Sequence, residues 1–268
     1  MLIEHNLFGT VNKVADAINL LRQHEPPEGY YLCFSGGKDS VVIHDLALKA
    51  GVKFDAHFNI TTVEPPQLRR FIRDHYPNVI YEHPTLSMFQ LIIKKKMLPL
   101  RQARYCCSEF KERCGRGRVK ITGIRSEESP RRAKRPQIDQ DNHSTGSFIH
   151  VIKDWSAKDV WQYIHENNLP YCELYDLGFS RIGCVLCPFS TSKNIQADLE
   201  LFPAIVAMYK RACIKLFEIY SSKNKFPFPN CRSGQDLFNW WIERHKKISI
   251  ADDCNSIPLF SEDDGSIL

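Results

Sequence analysis

Apolar and polar residues alternate in blocks along the first half of the chain, and the blocks predict strands separated by helices. The apolar run over residues 29–34 is typical of a buried strand, and residues 40–50 have the spacing of a helix that ends at Gly51. Further strands are predicted over residues 54–60, 78–81 and 118–122, and further helices over residues 9–24 and 64–75. This alternation predicts a doubly wound α/β fold with a mostly parallel sheet, in which ligands bind beyond the carboxyl ends of the strands.

The C-terminal part of the chain changes character, because strand-like alternation is missing there. Residues 197–220 and 236–245 have the spacing of helices. We therefore expect three parts, which are an N-terminal helix within residues 1–27, an α/β domain over residues 28–190, and a helical extension and tail over residues 191–268.

The composition is that of an ordinary globular protein, with 268 residues of which 43% are hydrophobic and 25% are charged. No apolar run reaches membrane-spanning length, and the N-terminus lacks a basic stretch followed by an apolar one. We therefore expect neither a membrane span nor a secretion signal. Ten cysteines in such a chain favour the reducing cytoplasm, with metal-binding or catalytic thiols rather than disulfides.

The formal net charge of +5 is mild, but the basic residues are concentrated in a few stretches. The run Lys94–Lys96 is best explained as a solvated face. The arginine-rich stretches over residues 113–120 and 125–135 lie near candidate site motifs. They therefore indicate an anionic nucleotide, or a nucleic acid, as the ligand.

The segment Ser35–Ser40, which reads Ser-Gly-Gly-Lys-Asp-Ser, lies between a predicted strand and a predicted helix. A glycine pair at this place lets the backbone turn tightly with its N–H groups pointing outward, and the helix start adds partial positive charge. Lys38 and two hydroxyls would complete a cradle for phosphate. The alternative is an ordinary glycine turn followed by a helix cap.

The spacing of this loop excludes the Walker type, which needs four residues between its first glycine and its Gly-Lys pair. The loop resembles instead the pyrophosphate-binding loop of ATP pyrophosphatases and adenine-nucleotide hydrolases. In such chemistry Lys38 would place a positive charge on the leaving pyrophosphate, and Asp39 would help to hold Mg²⁺.

The adjacent pair Cys106 and Cys107 and the Cys-x-x-Cys formed by Cys184 and Cys187 supply four thiolates. Four thiolates can hold a [4Fe–4S] cluster, and they also suit zinc. Buried, inert cysteines are the third interpretation. The residues alone leave these alternatives open.

Three further stretches carry a resemblance to a known family: Gly123–Arg132, Asp154–Ile164 and Leu169–Cys184. Together with the glycine loop they resemble the phosphoadenosine phosphosulfate reductase family, over roughly residues 28 to 190. That family includes the iron–sulfur adenylyl-sulfate reductases and the P-loop enzyme of bacterial DNA phosphorothioation. The resemblance implies an adenine-nucleotide hydrolase-like fold and one [4Fe–4S] cluster on the four cysteines.

The resemblance and the residue types together give the expected site residues. The cluster would be held by Cys106, Cys107, Cys184 and Cys187. The nucleotide would be contacted by Ser35, Gly36, Gly37, Lys38, Asp39, Ser40, Asn59, Thr61, Thr62, Gly123, Arg125, Arg131 and Arg132. The expected catalytic residues are Lys38, Asp39 and Arg125. Turn chemistry explains the residues after the second strand equally well, and plain surface charge is the alternative for the arginines.

Two departures from the family bear on the reaction. Sulfonucleotide reductases attack sulfur with a cysteine in a C-terminal Glu-Cys-Gly-Leu-His motif, which is missing here, and Cys254 lies among acidic residues that disfavour its thiolate. The iron–sulfur reductases usually replace the Gly-Lys portion of the loop, whereas Gly37 and Lys38 are present. The intact loop is similar to that of members that cleave ATP between the α- and β-phosphates.

The sequence therefore favours an enzyme that uses ATP for adenylation coupled to sulfur transfer. One alternative is reduction of adenylyl sulfate, or of its 3′-phosphorylated form, to sulfite. A second is a non-catalytic nucleotide sensor or assembly subunit. The expected partners are an adenine nucleotide and a sulfur donor such as a desulfurase or a thioredoxin-like protein, while nucleic acid and a homo-oligomer stay open.

Overall fold

The structure, a computed structural model, describes residues 2–6, 9–140, 146–222 and 231–248. The chain begins with an antiparallel hairpin of β1 (Ile3–Asn6) and β2 (Gly9–Asn12), and helix α1 (Lys13–Gln23) follows. The Asn12 side chain accepts hydrogen bonds from the first amides of α1, which places the start of the helix there.

The predicted helix over residues 9–24 is therefore wrong in its first turn, where Gly9–Asn12 pairs as a strand. The expected N-terminal helix within residues 1–27 is correspondingly a hairpin followed by a shorter helix. The apolar spacing of this segment was a correct signal for α1, but it carried no information about the cap at Asn12.

A six-stranded sheet forms the centre of the fold, with the strand order β5-β4-β3-β6-β8-β7. All neighbours pair in parallel except β7 and β8. The strands are β3 (Tyr30–Cys33), β4 (Phe54–Asn59), β5 (Ile80–Glu82), β6 (Val119–Thr122), β7 (Ile138–Gln140) and β8 (Ser147–His150). The predicted doubly wound, mostly parallel sheet is confirmed. Because β3 lies between β4 and β6, the chain reverses its direction of winding at β3, which is where such sheets bind ligands.

Helices lie between these strands and after the last of them. They are α2 (Lys38–Ala50), α3 (Pro66–His75), α4 (Met88–Lys95), α5 (Tyr105–Cys107), α6 (Pro130–Ala133) and α7 (Ala157–Glu166). The first long one, α2, packs between α1 and α7. It ends at Gly51, which adopts the left-handed conformation typical of a helix end, with φ of 69°. The short α5 continues into a π-helical turn over Ser108–Glu112.

The C-terminal extension consists of α8 (Ser192–Leu201), α9 (Pro203–Ser221) and α10 (Gly234–Ile248). The single helix predicted over residues 197–220 is wrong, because Pro203 cannot continue the hydrogen bonds of α8 and begins a new helix instead. Helix α9 packs against α4, α8 and α10. Within the described segments, no helix is long and apolar enough to cross a membrane.

Candidate active site

The loop over Ser35–Ser40 lies between β3 and α2, at the carboxyl end of the sheet. Gly36 has φ of 71°, and a Cβ there would lie 2.6 Å from Leu68 and 2.8 Å from Ile72 of α3. Only glycine fits, because the backbone conformation and the close approach both exclude a side chain. The loop is thus pressed against α3, and Gly37 caps α2 without a side-chain hydrogen bond.

The two serines of the loop shape it from within. The Ser40 hydroxyl donates to the Gly37 carbonyl over 2.8 Å, and the Ser35 and Ser40 hydroxyl oxygens lie 3.2 Å apart. Ser35 is exposed at the outer end of the loop, whereas Ser40 is buried. The Ser35 hydroxyl also accepts from the Gly37 amide over 3.4 Å, so both hydroxyls hydrogen-bond within the loop and hold the backbone of the predicted phosphate cradle.

The end of β6 approaches the loop closely. Gly123 follows β6, and a Cβ there would lie 2.9 Å from the Asp39 side chain. Arg125 is buried, and its Nε donates to Asp39 Oδ1 over 2.7 Å while its Nη1 donates to Glu127 Oε2 over 2.6 Å. The structure thus brings Gly123, Asp39 and Arg125 together at the point where the winding of the sheet reverses.

Lys38 is buried and is turned toward the segment that follows α7. Its Nζ donates to the Ser180 carbonyl over 3.1 Å and lies 5.3 Å from the centre of the Tyr175 ring. Its backbone N–H donates to the Tyr175 hydroxyl over 2.8 Å. Sequence reasoning missed Tyr175, because this contact joins positions 137 residues apart.

The residues after β4 have different surroundings. Asn59 Oδ1 is buried without a hydrogen-bond partner among the described residues, and the Asn59 side chain lies close to the Tyr31 hydroxyl. The Thr61 hydroxyl lies 3.3 Å from Cys184 Sγ, so it contacts the cysteines and not the proposed phosphate site. The Thr62 hydroxyl accepts from the Met88 amide over 2.9 Å at the start of α4.

The remaining arginines of the predicted site lie on α6. Arg132 forms an ion pair with Glu128, and Arg131 is exposed. Glu128 also accepts a hydrogen bond from the Arg125 amide over 3.1 Å, so Arg132 is tied to the turn that carries Arg125. Arg131 has no such tie and fits the surface-charge interpretation equally well.

The four cysteines of the predicted cluster come from two distant segments and lie within electrostatic reach of one another. A hydrogen bond between the two thiols raises the pKa of Cys106 and lowers that of Cys107. Burial and then the neighbouring Cys107, Cys184 and Cys187 raise the pKa of Cys106 further. Among the described residues, no group of three or more His, Cys, Asp or Glu side chains is arranged to hold a metal ion. A cubane cluster differs from a single ion, because each thiolate binds a different iron and the sulfurs need not converge on one point.

The turn between Cys184 and Cys187 is held by hydrogen bonds from two of its backbone amides. The Val185 amide donates to the Val63 carbonyl over 2.9 Å, and the Leu186 amide donates to Asp198 Oδ2 of α8 over 2.7 Å. Burial raises the pKa of Asp198 to about 6. Sequence reasoning missed Asp198, because nothing in its local pattern connects it with the cysteines.

Two cationic side chains accompany the cysteines and were also missed. The neighbouring thiols, Cys184 first, raise the pKa of Lys111, although this lysine keeps exposed surface. Arg104 donates a hydrogen bond to Cys107 and lowers the pKa of that thiol. Lys111 lies four positions after Cys107, a spacing that could have revealed it as a neighbour on the same turn.

Comparison with known proteins gives consistent matches. The profile of the phosphoadenosine phosphosulfate reductase domain matches residues 29–190. A protein of Oceanobacillus iheyensis named adenosine 5′-phosphosulfate reductase is 30% identical over 175 residues, which cover 61% of this chain and 72% of that protein. An uncharacterized protein of Methanocaldococcus jannaschii is 32% identical over 230 residues, which cover 81% of this chain but only 46% of that protein.

Among solved structures, the phosphoadenylyl-sulfate reductase of Candida auris, in a phosphate complex, is similar with a TM-score of 0.50 and 23% identity. The similarity covers 63% of this chain and 88% of that one. At this level of identity the likeness supports the fold alone.

Proposed function

Because the chain belongs to the phosphoadenosine phosphosulfate reductase family, we propose that it is an enzyme that binds an adenine nucleotide with its phosphates on the Ser35–Ser40 loop. We propose further that it uses ATP to adenylate an acceptor, in a reaction coupled to sulfur transfer. A [4Fe–4S] cluster on the four cysteines completes the proposed site.

The observation that carries the ATP reaction is the intact loop with Lys38 at its centre. In the proposed step an acceptor oxygen attacks the α-phosphorus, the bond from that phosphorus to the bridging oxygen breaks, and pyrophosphate leaves. The charge that develops on pyrophosphate needs compensation, which the amides at the start of α2 and the Lys38 ammonium would supply. An ammonium that is buried before the ligand binds has little bulk water to lose during the step.

Arg125 has a positioning role in this proposal. It joins Asp39 on the first turn of α2 to the segment after β6, so it fixes the loop relative to that strand. Because Asp39 is already paired with Arg125, the proposed Mg²⁺ would be held mainly by the phosphates, with Asp39 as an outer partner.

The surroundings of the four cysteines support the cluster. Four thiolates carry four negative charges, and Lys111, Arg104 and the Thr61 hydroxyl are the kinds of groups that stabilise them. A pocket for inert cysteines would need no cations. When bound, the cluster would supply a redox-active metal–sulfur centre, and its potential would be tuned by these hydrogen bonds and charges.

Reduction of adenylyl sulfate is the second candidate, favoured by the name of the relative from Oceanobacillus iheyensis. In this reaction a cysteine thiolate attacks the sulfate sulfur, the bond from sulfur to the AMP oxygen breaks, and AMP leaves. A second thiolate then attacks the cysteine Sγ, the bond from Sγ to the sulfonate sulfur breaks, and sulfite leaves, so that the two thiols end as a disulfide. Cys254, the tail cysteine considered for this role, lies outside the described residues.

Anaerobic incubation with ATP and, separately, with adenylyl sulfate distinguishes the candidates. Our proposal expects pyrophosphate and AMP from ATP when acceptor and sulfur donor are supplied, and no sulfite from adenylyl sulfate. Thioredoxin-dependent sulfite release that disappears in Cys254→Ser would establish the reductase instead. Nucleotide that binds but is never converted, with every acceptor tried, would favour a nucleotide sensor.

A further inference from the structure

The Tyr175 hydroxyl occupies part of the proposed phosphate cradle. It accepts the Lys38 N–H over 2.8 Å, and it would lie 3.3 Å from a Cβ at Gly37. The Tyr175 ring is held in place by Trp161, whose ring centre lies 5.1 Å away at an angle of 90°. A phenol oxygen therefore sits against the first amides of α2, where loops of this kind direct their N–H groups at an anion.

We propose that the Tyr175 hydroxyl is a place-holder for a phosphate oxygen, and that binding of a pyrophosphate group displaces it from the Lys38 amide. The inference rests on the proposed phosphate site. One N–H cannot donate at full strength to both oxygens, so the two compete. Hydrogen bonds to an anionic oxygen are roughly twice as strong as neutral ones, and this difference favours the exchange.

The phenol stays neutral in this competition. Burial raises the pKa of Tyr175 above its ordinary value, so the group is protonated throughout the physiological range. In the empty protein it satisfies an amide that would otherwise be buried without a partner, which keeps the loop in its binding conformation.

Displacement has a consequence for the cysteines. Tyr175 and Ser180 hold the segment before Cys184 to the loop, one through the Lys38 amide and one through the Lys38 ammonium. When the amide and the ammonium of Lys38 both bind phosphate, residues 175–183 lose the contacts that Tyr175 and Ser180 make with Lys38. Binding of phosphate to the loop would thereby release the segment that leads into the turn beginning at Cys184.

The test is the affinity for inorganic pyrophosphate, measured by calorimetry on anaerobically purified full-length protein. Tyr175→Phe keeps the ring against Trp161 and removes the competing oxygen, so we expect binding about twofold to tenfold tighter than in the wild type. Tyr171→Phe is the matched control. Tyr171 also packs on Trp161, but its hydroxyl lies 3.2 Å from Asp176 and away from the loop, so its removal should leave the affinity unchanged.

Unchanged or weaker binding in Tyr175→Phe, with a wild-type melting temperature, would overturn the place-holder role, because a purely structural hydroxyl or a ligand contact gives that result. A second measurement is hydrogen exchange over residues 175–183 in the wild type. Exchange should accelerate when pyrophosphate binds, and unaltered exchange would contradict release of the segment.

These outcomes separate the inference from the proposed reaction. Binding of pyrophosphate requires no turnover, so the expected affinities without any ATP cleavage would refute only the reaction. A wild-type protein and a Tyr175→Phe variant that both fail to bind pyrophosphate would refute the phosphate loop and the place-holder together.

Discussion

At the scale of single residues, Lys38 has one observed contact and one proposed role: its Nζ donates to the Ser180 carbonyl, and in our proposal the ammonium turns to the phosphates when the nucleotide binds. Lys38→Ala should weaken nucleotide binding by roughly 1.5–3 kcal/mol, the contribution of a charge-assisted hydrogen bond. The fold should stay intact. Lys95→Ala, on the exposed face of α4, is the control and should bind like the wild type. Wild-type affinity in Lys38→Ala, measured by calorimetry, would show that the cradle is misassigned.

Arg125 differs from the surface arginines in being buried between two carboxylates. Arg125→Ala should lower the free energy of unfolding by about 1–3 kcal/mol, because the half-buried Asp39 carboxylate loses its 2.7 Å hydrogen bond and keeps only Lys38 Nζ at 3.6 Å. Arg73→Ala is the control, since the ion pair of Arg73 with Asp74 is exposed to solvent and should contribute little to stability. If chemical denaturation showed equal losses of unfolding free energy in the two variants, the buried ion pairs of Arg125 would be no more stabilising than the exposed pair of Arg73.

Single residues were predictable from sequence where a local pattern marks them. The loop residues stand in one motif between a strand and a helix, and Gly123 and Arg125 stand in another. Tyr175 and Asp198 could not be assigned roles, because their contacts join segments that are distant in sequence. For the four cysteines the pattern predicts a common site, and the cluster itself stays a prediction.

The contact between the loop and α3 makes a prediction at the scale of elements. Gly36 and Gly51 both have φ near 70°, but a Cβ at Gly36 would meet α3, whereas nothing lies within 4 Å of one at Gly51. Gly51→Ala should therefore cost about 1 kcal/mol for the backbone conformation alone. Gly36→Ala should cost roughly 1–3 kcal/mol more through overpacking. Equal melting temperatures of the two variants would contradict the expected clash between a Cβ at position 36 and α3.

Helices and strands were predicted correctly where the hydrophobic spacing is strong. Helix ends and very short strands were missed. Helix α2 and strands β3 and β4 were found because their buried faces are continuous in sequence. The antiparallel pair β7 and β8 was not found, since β7 has only three residues and two of them are polar. The proline at position 203 was a clear local signal for a break between two helices. The prediction followed the helical spacing on both sides of it and so missed the break.

At the scale of the whole molecule, metal content is the main test of the proposed site. Anaerobically purified protein should contain about four irons and four sulfides per chain, with broad visible absorption. Cys184→Ser should remove the cluster, because the Cys184 sulfur is one of its four proposed ligands. The control is Cys213→Ser, in the buried face of α9, which should keep the full iron content. Stoichiometric zinc without iron, in protein made with iron available, would refute the cluster.

The architecture of the whole molecule followed from the alternation of strands and helices, which predicts a wound parallel sheet before any side chain is placed. How the extension packs could not be predicted, because it depends on side chains that meet across the fold. Trp241 of α10 donates to the Pro99 carbonyl over 2.8 Å, which fixes the extension onto the segment that leads to Cys106.

The separation of the cysteine pairs along the chain also has a meaning for the unfolded polymer. A cluster shared by Cys107 and Cys184 would act as a cross-link closing a ring of about 77 residues, which contains β6, β7, β8 and α7. Closing a ring of this size removes unfolded-chain entropy equivalent to roughly 4–5 kcal/mol at 25 °C. The cluster would then join the segment before β6 to the segment after α7, and its loss would lower the free energy of unfolding of the whole domain.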